Sequence, residues 1–167
     1  MSYQQAFETA EDSQEKQAKW DDRFITLAQF VAQWSKDRST KVGCVIVGPN
    51  REIRSVGYNG FPRGVNDDVE ERHQRPAKYL WTEHAERNAI FNAARGHTDL
   101  ENCTAYVPWF PCMDCARALV QSGIHTVVAF RPNLDDPKWG QDFQNTITLF
   151  EEAGIVVRYV EGSVIRQ

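Results

Sequence analysis

Residues 103–130 read CTAYVPWFPCMDCARALVQSGIHTVVAF. The stretch opens on a short apolar run, CTAYV, and closes on another, IHTVVAF, each with the composition and length of a buried strand. Between them CMDCARALVQSG reads as a helix. Strand, helix and strand joined by short links imply two parallel strands with the helix packed on the sheet. The pattern continues downstream through a loop, RPNLDDPKWG, a helix, QDFQNTITLFEEAG, and a strand, IVVRYV.

Upstream, Trp20, Phe24, Leu27, Val31 and Trp34 advance by fours and threes, the stripe of an amphipathic helix over residues 19–34. KVGCVIVG and EIRSVGYNG, separated by PN, read as a hairpin. FPRGVNDDVEERHQRPAK is polar and aperiodic, an ordered surface loop of a length usually tied to function. A helix follows in WTEHAERNAIFNAARG (residues 81–96), with Gly96 as its C-terminal stop. The expected architecture is a three-layer α/β/α sandwich around a mixed sheet of about five strands. The 167 residues suit one compact domain, expected over 19–167 behind a polar N-terminal segment, 1–18.

With 41% hydrophobic and 25% charged residues the chain belongs to the globular class, neither disordered nor membrane-embedded. No apolar run approaches the ~20 residues that span a bilayer, and the polar start lacks a secretory h-region. A cytoplasmic protein with no membrane partner is expected. The net charge of −4 carries no basic footprint for a long nucleic acid, while a small anion needs only a local cluster of donors.

Of the four cysteines, Cys44 and Cys103 sit in strand-like runs and read as small buried hydrophobes. Cys112 and Cys115 follow a strand in PCMDC. Pro111 suits the first turn of a helix, and a spacing of three puts both thiols on one face of that turn. Alone, a CxxC is ambiguous among a redox pair, half of a structural zinc site and chance. His84 changes the balance. One His and two Cys, from the starts of two helices, are donors that zinc favours, and they leave the fourth tetrahedral position open, as catalytic zinc requires. Glu86 lies two residues from His84, about 200° around a helix, and so points away from the ligand direction. It is placed to move protons at the open position rather than bind the metal. The combination H-x-E with P-C-x-x-C is the signature of zinc deaminases that act on nucleobases.

On the stretches SKDRSTKVGCVIV, GYNGFPRGVNDD, HAERNAI and PCMDCARALVQSGI, the chain resembles the cytidine deaminase-like superfamily, most closely its deoxycytidylate (dCMP) deaminase branch. The resemblance implies one Zn²⁺ per chain held by His84, Cys112 and Cys115, with Glu86 as the catalytic proton shuttle. It implies substrate contacts from Asn59, from the Ala85 backbone N–H and from the chain before Pro111. Beside the resemblance, the aromatic residues Trp81, Trp109, Phe110 and Trp139 are themselves candidates to line a base pocket or to fill the core. Several members of the branch carry an arginine directly before the residue matching Ser35. This chain has Trp34 there, so if that arginine serves the phosphate, recognition here uses Lys36, Arg38, Lys41 or Arg63, or is absent. The implied reaction is hydrolysis of dCMP to dUMP and ammonia. The alternative is the same chemistry on cytidine, a free base, another aminated heterocycle or a tRNA adenosine. The resemblance also implies a homo-oligomer, and it makes dCTP and dTTP candidate effectors through the loop GYNGFPRGVNDD.

Overall fold

A computed structural model describes residues 10–162. Helix α1 (Ala10–Ala32) leads into strands β1 (Gly43–Val47) and β2 (Ile53–Tyr58). The long loop that follows holds a 3-10 turn at Glu70–His73 and a one-turn helix, α2 (Lys78–Trp81). Then come α3 (Ala85–Arg95), β3 (Thr104–Val107), α4 (Met113–Gln121), β4 (Thr126–Phe130), α5 (Gly140–Ala153) and β5 (Val156–Val160). The five strands lie in the order β2-β1-β3-β4-β5. β1 runs antiparallel to β2 and β3, while β3, β4 and β5 are parallel, so the sheet is mixed as expected. Among the described residues no helix is long and apolar enough to cross a membrane.

Side-chain alternation along each strand separates the two faces. Cys44 and Ile46 of β1, Ala105 and Val107 of β3, and Val127 and Ala129 of β4 join the core beneath α3, α4 and α5. Val45, Val47, Tyr106, Val128 and Phe130 face the opposite way, against Phe24, Ile25, Ala28 and Val31 of α1. That alternation yields the three layers. The α1 face is also tied by polar groups: the Tyr106 hydroxyl donates to Asp21 at 2.9 Å, and Arg158 of β5 donates to the same carboxylate at 2.7 and 2.9 Å.

Two features set where α3 lies. Its buried stripe is Ala85, Ala89 and Ala93, all small. Opposite it, a Cβ on Gly57 would fall 2.3 Å from the Ala89 nitrogen and 2.4 Å from the Ala85 oxygen. The helix backbone therefore rests directly on β2, a contact only glycine permits.

The structure moves two expected boundaries. α1 begins at Ala10, nine residues before the expected start at Lys19, so the 18/19 division falls inside a helix. Its first turns are exposed and charged, with Lys19 and Glu15 paired at 2.7 Å, and show no apolar period for a pattern reading to find. The part of that segment before residue 10 lies outside the described residues. The second change is in the stretch 81–96, which is not one helix. α2 ends at Trp81, Thr82 and His84 are extended, and α3 starts only at Ala85. Cys44 and Cys103 are fully buried free cysteines, as their strand setting implied.

Candidate active site

His84 is the N-cap residue of α3 and Cys112 that of α4, both with extended backbone (ψ 157° and 166°). The N-cap side chain ordinarily turns back to accept a hydrogen bond from its own helix. Neither does so here, which leaves an imidazole and a thiol free to face each other. The capping duty on α4 passes to α5, where the Asp142 carboxylate accepts the Met113 N–H at 2.9 Å. Cys112 therefore sits one position before the helix and not within its first turn. Cys115, one turn on, completes the group.

The His84 Nδ1 atom lies 3.5 Å from the Cys112 sulfur and 3.4 Å from the Cys115 sulfur. A nitrogen and a sulfur bound to one tetrahedral zinc at about 2.05 and 2.3 Å would be about 3.5 Å apart. All three ligand atoms lie within 4.8 Å of one another, so the donor set and its spacing fit zinc. Among the described residues this is the one such group of three or more potential ligands.

The electrostatics point the same way. A hydrogen bond with Cys115 holds the Cys112 thiol down at about 4, against the effect of burial and with help from His84. The contact with Cys112 raises His84 to about 9, burial opposing it. Hydrogen bonding to Cys112, then burial, pushes the Cys115 thiol far up. Three donors crowd onto shared protons, which a divalent cation replaces when it binds. The N-termini of α3 and α4 add positive potential at the thiols.

Glu86, in the first turn of α3, is 3% exposed, and burial raises its carboxyl to about 7 despite the opposing charge of His84. His84 is extended and Glu86 helical, so the two do not stand at the offset of one continuous helix, and the Glu86 carboxyl reaches the Cys115 thiol.

His84, Glu86 and Cys112 line one cleft of about 770 Å³, open mouth included, with Cys115 fully buried behind them. Asn59, Ala85 and Trp109 line it as expected. Asn59 is a brace as well, accepting the Val42 N–H at 2.8 Å and donating to the Thr40 carbonyl at 2.9 Å. Two expectations land elsewhere. Phe110 is 2% exposed in the core, packed edge-on to Phe143 and Phe150, because a chain leaving β3 must turn one of its two aromatics inward. Lys36 lines the neighbouring cleft and not this one, held at 2.6 Å by Asp67. Arg38 is in that second cleft too, on Glu70 at 2.7 Å, while Arg63 donates to Asn92 at 2.6 Å. Trp139 lines the first cleft as expected and Trp81 does not, while sequence reasoning missed Arg75, Lys78, Tyr79 and Lys138, which line it from two loops far apart in the chain. No spacing signal links them.

The family described as the cytidine and deoxycytidylate deaminase zinc-binding region matches residues 18–131, a span holding all three donors and Glu86. A three-layer fold with a His–Cys–Cys centre and a buried glutamate beside it, so matched, is a zinc-dependent hydrolytic deaminase. The chain belongs to the cytidine and deoxycytidylate deaminase family. It is 42% identical over 150 residues to an uncharacterized deaminase in the luxG 3′ region of Aliivibrio fischeri, covering 89% of this chain and 99% of that one. It is 35% identical over 145 residues to the deoxycytidylate deaminase of Homo sapiens, covering 84% and 79%. The apo crystal structure of dCMP deaminase from the cyanophage S-TIM5 is similar in fold, with a TM-score of 0.65 at 22% identity, covering 85% of this chain and 98% of that chain.

Proposed function

We propose that this protein hydrolyses dCMP to dUMP and ammonia, with His84, Cys112 and Cys115 holding the zinc and Glu86 moving the protons. The observation that carries this reading is the spacing of the three donors, 3.4 and 3.5 Å from the His84 nitrogen to the two sulfurs, at a cleft that His84, Cys112 and a buried glutamate line. Bound there, zinc supplies a Lewis acid that makes water acidic enough to be a nucleophile near neutral pH. Glu86 accepts a proton from the attacking water, gives it to the pyrimidine N3, and then helps deliver a proton to the departing amine. The Ala85 N–H belongs to the first turn of α3, where no intrahelical acceptor exists, and is offered to the pyrimidine carbonyl. Asn59, already anchored by two backbone contacts, keeps one amide hydrogen for the nucleoside. Trp109 provides an apolar wall that keeps the base oriented.

In this reading residues 19–167 act as one deaminase domain, in the cytoplasm, with dCTP and dTTP as candidate effectors. An edge-to-face aromatic group on the surface, Phe30–Trp34–Tyr58, with centroids 6.2 and 6.0 Å apart, supports a homo-oligomer that would cover it. The test is a panel of dCMP, deoxycytidine, cytidine and cytosine on protein of verified zinc content, followed by ultraviolet absorbance and ammonia release. Fastest turnover on dCMP is expected; turnover of the panel without preference for the monophosphate sinks the assignment.

A further inference from the structure

The lining of the zinc cleft carries three cations, Arg75, Lys78 and Lys138. They are not equivalent. The Lys78 ammonium is neutralised, 2.6 Å from the Asp37 carboxylate and 2.6 Å from the Ser39 hydroxyl. Arg75 and Lys138 are exposed, and both act on one neutral oxygen, the phenol of Tyr79. Lys138 donates to that hydroxyl, and its ammonium stands 4.5 Å from the Tyr79 ring and 4.8 Å from the Trp139 ring. The hydrogen bond from Lys138 lowers the Tyr79 pKa against the effect of burial, and the charges of Lys138 and Arg75 lower it further. The loop carrying Lys138 is pinned, because the Asp136 carboxylate accepts the N–H groups of Lys138 and Trp139 at 2.9 Å each.

We propose that Arg75, Lys138 and the Tyr79 hydroxyl form the seat of the substrate's 5′-phosphate, with the base directed to the buried zinc end of the cleft. This deepens the deaminase reading above and rests on it. The physical basis is the charge of the group that must be displaced. An incoming phosphate at Lys138 displaces a neutral phenol, which then turns to donate to the phosphate itself. At Lys36 or Arg38 it would have to displace the carboxylates of Asp67 or Glu70, exchanging one anion for another with little gain. Arg75 supplies a planar fork for two phosphate oxygens, and Lys138 a point charge. Burial sets the polarity of the cleft: Glu86 and Cys112 lie in its buried end, whereas Arg75, Tyr79 and Lys138 are exposed.

The experiment compares kcat/KM for dCMP and for deoxycytidine on zinc-loaded full-length protein. Arg75→Ala and Lys138→Ala should each lower the dCMP-to-deoxycytidine ratio about tenfold or more, mainly through the KM for dCMP, and Tyr79→Phe by less. Lys36→Ala, in the neighbouring cleft, should keep the wild-type ratio. Melting curves confirm that these surface variants remain folded. Calorimetric titration of wild type and variants with dUMP and with deoxyuridine provides a second readout that needs no turnover. Wild type that binds dUMP more tightly than deoxyuridine, with the difference lost in Arg75→Ala and Lys138→Ala, supports the seat even if dCMP is not deaminated. An unchanged ratio in both variants, or wild type that binds the two ligands equally, overturns it.

Discussion

Two clefts share one wall in this molecule, and the wall is Asp37, Lys78 and Thr82. On one side lie His84, Cys112, Glu86 and a rim where Lys138 rests on a phenol. On the other, Lys36 and Arg38 are bound by Asp67 and Glu70 across 31 and 32 residues of chain. Both sides hold basic residues, yet they differ in what those residues already touch. A cation on a neutral partner remains available to an anion, while a cation on a carboxylate has its field cancelled at short range. The difference between the clefts is therefore one of pairing and not of composition. The shared wall matters to both, since it is built around a buried ion pair: Asp37 is 4% and Lys78 14% exposed in their side chains.

The comparison breaks most severely at Glu86. Glu86→Gln should cut turnover about 10²–10⁴-fold while metal analysis still finds zinc at the wild-type level, because the amide keeps the shape and loses the proton transfer. Full activity in that variant would remove the chemistry from the first cleft altogether.

The wall comes next. Lys78→Ala leaves the buried Asp37 carboxylate with no cation, only the Ser39 and Thr40 N–H groups and the Ser39 hydroxyl, and should cost about 3 kcal/mol of stability, read from urea unfolding. Adding Asp37→Asn should recover part of that loss, since no buried charge is then left unpaired. If the double variant is less stable than the single one, the pair is not what holds the wall.

The smallest effect is a pH dependence. Burial pulls the Asp37 carboxyl upward, but Lys78 and the N–H groups of Thr40 and Ser39 outweigh it and hold the pKa below its ordinary 3.8. A depressed carboxylate stabilises the native state above its unfolded pKa and loses that contribution as the pH falls through the folded value. Unfolding midpoints between pH 6 and 2.5, on the order of the range in which carboxylates titrate, should therefore fall less steeply in Asp37→Asn than in wild type.

How much of this was legible beforehand depends on distance along the chain. Cys112 and Cys115 lie within one turn, and His84 sits with Glu86 in a three-residue motif, so each half of the candidate ligand set could be read locally, while the fold brings the halves together across 28 residues of chain. The strand alternation that divides the two cores, Cys44 and Ile46 against Val45 and Val47, was likewise present in the residue order. The start of α1 was not, because an exposed helical turn has no apolar period. Nor was the fate of Phe110: adjacent aromatics after a strand point to opposite sides, and only packing decided that Trp109 faces the cleft and Phe110 the core.

The residues alone pointed to the layers and to the two motifs that carry the candidate zinc donors and Glu86, since each depends on contacts local to a turn or on a repeating period. Tertiary structure alone decided which cations are available. Arg75, Tyr79 and Lys138 meet only because α2 and the loop before α5 close over the same cleft, and Lys36 is occupied only because the long loop folds Asp67 back onto it. A charge acts through its nearest neighbours in space, and sequence separation carries no record of those.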